Sequence, residues 1–127
     1  MKRVIATVLA AAAAAPLSAA APADAGWSEV ARARDGDCRL NVTSEGRFFR
    51  IAASGLGSRE PARFFLANGD MKPIAWTVRA NGRGEFARYY LPFRWHREGD
   101  TVAVSLTSEG CELFAAFDWQ RTRVVVR

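Results

Sequence analysis

The sequence has one histidine, two cysteines and no Gly-x-Ser-x-Gly motif, so the usual parts of a hydrolase are scarce. Histidine is the common general base near neutral pH, and His96 is the only one in the chain. Zinc sites are built mainly from several cysteines and histidines. The sequence therefore predicts no enzyme, no metal site and no cofactor. Two catalytic alternatives stay open: a hydrolase that depends on His96, and a carboxylate pair assembled by folding.

The chain also lacks long apolar runs, except at its start, where the pattern is that of a secretory signal peptide. Residues 1–3 include two basic side chains, and residues 4–15 form an apolar run too short to span a bilayer. Ala-Asp-Ala at 23–25 fits the A-x-A cleavage rule, although a cut after residue 19, 20 or 21 fits nearly as well. We expect residues 1–25 to be the signal peptide and 26–127 one domain, with no transmembrane segment left after cleavage.

Lysine is scarce as well, and arginine supplies almost all of the positive charge. Eighteen lysines and arginines less Lys2 and Arg3 leave sixteen cations, while thirteen acidic residues less Asp24 leave twelve, so the mature chain carries about +4. Fifteen of the sixteen cations are arginine, which favours anionic partners through planar, bidentate contacts. The codon bias of a GC-rich bacterial genome, which the alanine-rich start also suggests, is the alternative explanation.

The two cysteines, Cys38 and Cys111, are far apart in a small chain that is expected to be exported. Exported compartments oxidise thiols, so we predict a disulfide between them. In the chain-entropy model a loop of this length contributes about 4 kcal/mol to stability as an upper figure. We expect a bacterial protein of the periplasm or the exterior, since one signal peptide serves both destinations. Nucleic acid is not expected as a partner there.

Apolar residues recur with a period of two almost throughout the mature chain, and no stretch has helical spacing. Turn residues separate the alternating segments every eight to twelve positions, which is typical of an all-β sandwich or barrel of seven or eight strands. Residues 27–37 are either a first strand or a loose arm, and 124–126 would add a last edge strand. The clear strands are predicted at 38–42, 49–53, 62–66, 74–78, 86–91, 102–106 and 111–119.

Several turn and core motifs resemble those of bacterial immunoglobulin-like modules. The run 49–64 is similar to their opening hairpin, and the run 80–86 (Ala-Asn-Gly-Arg-Gly-Glu-Phe) is similar to their central turn. Residues 91–92 (Leu-Pro) resemble their Val-Pro step, and residues 99–104 resemble their Gly-Thr-x-x-Val step. The resemblance covers roughly residues 49–117. It implies an immunoglobulin-like antiparallel β-sandwich, in a group whose members serve as adhesive, spacer or accessory modules of the cell envelope.

The chain departs from antibody domains in two respects. Glu109 stands two residues before Cys111, where a tyrosine corner would place tyrosine. A bridge between Cys38 and Cys111 is also expected to tie peripheral strands together and not to cross the centre of the sandwich.

Three aromatic doublets, each next to arginine, indicate a candidate binding surface. Successive strand residues face opposite sides, so one ring of each doublet should point outward: Phe48, Phe65 and either Tyr89 or Tyr90. Outward rings beside arginine suit binding of an anionic polysaccharide or an envelope protein. The alternative is that the rings pack under the N-terminal arm or across strands. The predicted binding residues are Arg47, Phe48, Arg63, Phe65, Arg88, Tyr89, Arg94 and Trp95.

The function expected from these features is that of a non-catalytic binding or structural module of the bacterial envelope. A second hypothesis is a small secreted enzyme inhibitor that presents the loop at 93–100. The sequence predicts no oligomeric state.

Overall fold

Antiparallel strands joined by short turns make up most of residues 26–121, the part of the chain that this computed structural model describes. The alternating segments form strands, as predicted, because each places one apolar face toward a common core. These residues contain no helix. The strands are β1 (Ser28–Asp35), β2 (Cys38–Ser44), β3 (Phe49–Ser54), β4 (Pro61–Asn68), β5 (Ile74–Arg79), β6 (Phe86–Tyr90), β7 (Gly99–Ser108) and β8 (Glu112–Gln120).

The strands form two four-stranded antiparallel sheets packed face to face. The first sheet has the order β1-β2-β3-β6, and the second has the order β5-β4-β7-β8. The chain passes between the sheets after β3, after β5 and after β6. The predicted all-β sandwich is therefore confirmed, whereas its immunoglobulin-like character stays a prediction.

The core lies between the sheets and is formed by every second residue of most strands. In β8, for example, the four even-placed residues are buried and the five others are exposed. Phe49 of the first sheet stacks on Phe117 of the second, with ring centroids 4.5 Å apart. Phe64 and Phe86 also meet across the two sheets, with centroids 5.7 Å apart and the rings tilted by 53°. Such aromatic pairs add packing energy to the burial of the aliphatic residues around them.

Cys38 and Cys111 form the predicted disulfide, which links the two sheets at one end of the sandwich. Cys38 opens β2, an internal strand of the first sheet, while Cys111 directly precedes β8, an edge strand of the second. The expectation that the bridge ties peripheral strands is therefore right for β8 and wrong for β2. The backbone N–H of Glu112 donates to a carboxylate oxygen of Asp35 at 2.8 Å and adds a second link there.

Asn68, near the opposite end, is a buried polar residue that connects the sheets. It is 2% exposed, and its side-chain oxygen accepts the indole N–H of Trp119 at 2.9 Å. Its side-chain amide donates to the hydroxyl of Tyr90, on the other sheet, at 3.3 Å. Every polar group of this small cluster thus has a partner, as buried groups require.

Residues 27–37, for which the sequence left two alternatives, are resolved as a strand and not a loose arm. β1 pairs with β2 along its length, with an irregularity between Glu29 and Ala31. Ala31 and Ala33 are only half-buried because β1 is the edge of its sheet, which explains why its apolar pattern is weak. The predicted signal peptide at 1–25 and the predicted strand at 124–126 lie outside the described residues. No helix within residues 26–121 is long and apolar enough to cross a membrane.

Candidate functional site

The structure distributes the eight predicted binding residues over several surfaces. Phe48, Phe65, Tyr89 and Trp95 are exposed, in agreement with the alternation of their strands and loops. They do not share one face, however, because Phe65 lies on β4 of the second sheet and Tyr89 on β6 of the first. Arg47 and Phe48 belong to the β2–β3 turn, and Arg94 and Trp95 to the segment between β6 and β7.

Arg88 has a packing contact that occupies its guanidinium group. In the ladder between β3 and β6 it lies opposite Ile51, a fully buried residue, so it belongs to the inward-facing row of the edge strand. Its guanidinium carbon lies 3.7 Å from the ring centroid of Trp76 on the facing sheet. This cation–π contact covers the open edge of the sandwich. Arg88 is therefore better explained as part of the core margin than as a ligand contact.

Arg94 has a similar structural role in the loop between β6 and β7. One of its terminal nitrogens lies 2.7 Å from a carboxylate oxygen of Asp70 and 3.7 Å from Asp100. Arg97 contacts the same two carboxylates at 3.3 Å and 3.2 Å. The Arg94 guanidinium, and then that of Arg97, holds the pKa of Asp70 below its ordinary value. Because its charge is already matched, Arg94 is less available to a ligand than its sequence context suggests.

These ion pairs fix the position of the loop between β6 and β7. The loop lies at the end of the sandwich opposite the disulfide, and we call this end the loop end. Trp95 is 75% exposed there, and its ring meets Phe93 edge-on at 5.2 Å. The guanidinium of Arg121 lies 5.1 Å from the centre of the Phe93 ring. His96 follows with a φ of 64°, a left-handed conformation that shapes the turn. The loop end thus presents an exposed aromatic pair on a braced support.

A small pocket of about 160 Å³ lies beside this aromatic pair. Ligand pockets usually enclose about 300–1,000 Å³, so this one would accept a single side chain or a ring and not a larger molecule. Its lining is mostly apolar and consists of Gly46, Arg47, Phe49, Leu91, Pro92, Phe93, Trp119, Gln120 and Arg121.

A group of positive charges lies elsewhere, on the outer face of the first sheet. Within residues 26–121, four arginines of β1, β2 and β3 project from this side, which we call the arginine face: Arg32, Arg34, Arg39 and Arg50. Arg34 lies directly opposite Arg39 in the ladder between β1 and β2. Like charges in this position repel each other and lower stability.

Few acidic groups offset these arginines. Glu29 lies 3.7 Å from Arg32 and also accepts a hydrogen bond from Asn41. Arg34 donates to the backbone oxygen of Gly36 at 3.2 Å, which leaves its charge unneutralised. Among the described residues, the guanidinium groups of Arg39 and Arg50 have no hydrogen-bond or ion-pair partner.

The arginine face contains a shallow depression of about 720 Å³. One side of it is low because β3 contributes only small residues there, Ala52 and Ser54, next to the long side chains of β2. Tyr89, which is opposite Arg50 in the next ladder, contacts Trp27 edge-on at 6.0 Å. An aromatic pair therefore lies beside the arginines of this face. The sequence predicted such a combination of rings and arginines, but at the aromatic doublets.

None of the four arginines of this face was among the residues predicted from the sequence. The signal was the alternation of alanine and arginine at 31–34, which continues at Arg39 after the turn. This signal is weak in the sequence because it contains no aromatic residue and because residues 27–37 fit a loose arm as well as a strand. Of the predicted residues, only Tyr89 lies on this face.

No group of three or more histidine, cysteine, aspartate or glutamate side chains within residues 26–121 is placed to hold a metal ion. Comparisons of the chain with protein-family models, with curated proteins and with solved structures find no match.

Proposed function

We propose that this protein is an exported, non-catalytic binding module of the bacterial envelope that holds an anionic polymer on its arginine face. The observation that carries the proposal is the opposed pair of Arg34 and Arg39, with Arg32 in the next outward row and Arg50 in the row after that. Two cations placed opposite each other cost stability when the face is empty. An anionic ligand would relieve that repulsion, so the arrangement is accounted for by binding.

The geometry suits a chain of repeated carboxylate groups better than a single small anion. Alternate residues along a strand are about 6.8 Å apart, so successive rows of the face can contact successive charges of a polymer. Arginine binds carboxylates through two parallel hydrogen bonds. The Trp27 and Tyr89 rings, 6.0 Å apart, offer a surface on which a sugar can stack. An acidic polysaccharide combines these features.

Two features support export. The pattern at 1–25 is that of a signal peptide, and the Cys38–Cys111 disulfide fits an oxidising compartment. The cell envelope would also bring the module into contact with acidic polysaccharides.

The proposal is tested by measuring the affinity of the purified protein for alginate, a carboxylated polysaccharide, and for neutral dextran of similar length. We expect binding to alginate only, weakening as salt rises, because exposed charges are screened. The double variant Arg34→Gln/Arg39→Gln should bind alginate at least about tenfold more weakly. The control Arg47→Gln/Arg83→Gln has the same net charge but alters turns outside this face, and it should bind nearly as well as the wild type. Equal losses in both variants would show that only net charge matters.

A second candidate function is inhibition of a protein target by the loop at 93–100. The braced position of this loop favours it, because Arg94 and Arg97 tie it to Asp70 and Asp100 while Trp95 remains 75% exposed. A rigid loop loses little entropy when it binds a partner. Capture of one protein from envelope extract at both low and high salt, abolished by Trp95→Ala, would support this function. Capture that survives Trp95→Ala would contradict it.

A further inference from the structure

The outer face of the second sheet has a different character from the arginine face, since most of it is small or apolar. The ladders place two exposed rings in one row, Phe65 on β4 and Phe114 on β8, separated by Ser105 of β7. Phe114 is 65% exposed and Phe65 is 42% exposed. The next row consists of Ala67, Ala103 and Ala116. An apolar sheet face that is left open in this way is typical of an interaction surface.

The row on the other side of the two rings contains a pair of opposite charges. Arg63 lies on β4, Thr107 on β7 and Glu112 on β8, so one charge stands on each side of the central strand. Within residues 26–121 neither Arg63 nor Glu112 forms an ion pair. β7 separates the two residues, so they do not neutralise each other. Each side chain can therefore pair with an opposite charge on another molecule.

We propose that a second copy of this chain covers this face, in a symmetric dimer whose two-fold axis runs along β7. β4 and β8 flank β7 on opposite sides. A rotation about that axis therefore places β4 of one copy over β8 of the other, and the reverse. Symmetric interfaces of this kind need a self-complementary patch, because every contact occurs twice.

This arrangement pairs three rows of the face with themselves in a complementary way. Arg63 of one copy meets Glu112 of the other, and Phe65 meets Phe114, each of them twice. Ala67 meets Ala116 in the third row. On the axis itself lie the residues of β7, which are Ala103, Ser105 and Thr107. Their small side chains allow the two sheets to approach to the usual distance of about 10 Å.

The size of the face predicts a weak dimer. The axis along β7 superposes three strands of each copy, β4, β7 and β8. Spaced about 4.8 Å apart and about 27 Å long, they present roughly 390 Å² on each copy, or roughly 780 Å² in total, which is below the usual size of stable interfaces and fits a weak, transient contact. We expect a dissociation constant on the order of 10–100 µM. The two arginine faces would lie on opposite outer sides of the dimer, so that one dimer can link two polymer chains.

The test is sedimentation velocity of the purified protein from about 10 µM to about 1 mM, a range that brackets the expected dissociation constant. The wild type should pass from monomer to dimer. Arg63→Glu and Glu112→Arg should each weaken the dimer by about tenfold or more, because each places like charges at both symmetric contacts. An equimolar mixture of these two variants should dimerise again, since Glu at 63 then meets Arg at 112 and the remaining wild-type residues pair likewise.

Two controls separate this result from misfolding or from an effect of net charge. Arg83→Glu changes the same charge in the β5–β6 turn and should leave dimerisation unchanged. Phe114→Ala should abolish the dimer without lowering the melting temperature, because the ring is largely exposed in a single copy. A wild type that remains monomeric over the whole range would overturn the proposal. A dimer that both charge reversals leave intact, or a mixture that fails to regain the dimer, would overturn it as well.

Discussion

Arg34 and Arg39 lie directly opposite each other on neighbouring strands, and no carboxylate in residues 26–121 pairs with either of them. A hairpin selected for stability alone would place opposite charges or β-branched residues at such a position. β1 is the edge of its sheet, so charge there also discourages pairing with another strand. Edge protection accounts for Arg32 and Arg34 on β1, but Arg39 lies on an internal strand and needs another explanation.

The opposed arginines lead to a prediction in which stability and binding change in opposite directions. Arg39→Gln should raise the free energy of unfolding by about 0.2–1 kcal/mol, because it removes the repulsion with Arg34. The same substitution should weaken binding to alginate several-fold. Urea unfolding and an alginate titration measure the two effects, and Arg83→Gln should change neither. A variant that loses stability and keeps its affinity would contradict the role given to Arg39.

The disulfide should stabilise the fold without taking part in binding. The double variant Cys38→Ser/Cys111→Ser should lose about 2–4 kcal/mol in free energy of unfolding, because the unfolded chain is then free of a long loop constraint. Urea unfolding of this variant should coincide with that of the reduced wild type. Its affinity for alginate, measured where it remains folded, should be unchanged. Identical midpoints for the oxidised and reduced wild type would contradict this prediction.

Asn68 should be the most sensitive polar position in the core. Asn68→Ala leaves the indole N–H of Trp119 without its acceptor, at a cost of about 1–3 kcal/mol, and opens a small cavity. Tyr90→Phe removes only the longer hydrogen bond at 3.3 Å and should cost less than about 1 kcal/mol. Thermal unfolding of both variants tests the order of the two effects. An equal or larger loss in Tyr90→Phe would show that Asn68 is not the centre of the cluster.

The loop at 93–100 should loosen in acid. The pKa of Asp70 is lowered by Arg94 and Arg97, so its contribution is fully present above the ordinary pKa of an aspartate, about 3.9, and is lost as pH falls through the lowered value. Backbone ¹⁵N relaxation of residues 93–98 should show a rigid loop at neutral pH and a mobile one well below that range. Asp70→Asn should make the loop mobile already at neutral pH, whereas Asp37→Asn, in the β1–β2 turn, should not. A loop equally rigid in Asp70→Asn would contradict the bracing role.

The strands were predictable where alternation was strong and the core face was apolar. Val102, Val104 and Leu106 define β7 in this way, and the buried residues of β8 do the same. β1 was not predictable with the same clarity, because its core-facing residues Ala31 and Ala33 are small and only half-buried. Edge strands bury less, so the hydrophobic pattern that identifies a strand is weakest there.

The candidate site was less accessible from the sequence, because alternation tells which side of a strand a residue faces but not which sheet the strand joins. Phe65 and Tyr89 were both expected to be exposed, and both are, yet strand order places them on different sheets. Arg88 was expected to face a ligand, but it lies in the inward-facing row opposite Ile51 and covers Trp76. Such contacts between sheets depend on packing, which a local pattern does not contain.

The most direct test of the arginine face is NMR mapping of the protein during titration with a short alginate oligomer. Binding at this face should shift the backbone amides of Arg32, Asn41 and Ala52, with smaller changes at Tyr89. The amides of Phe65, Ser105 and Phe114, on the opposite outer face, should not move. Shifts confined to residues 91–98, or an absence of shifts at concentrations where alginate binds, would contradict the account.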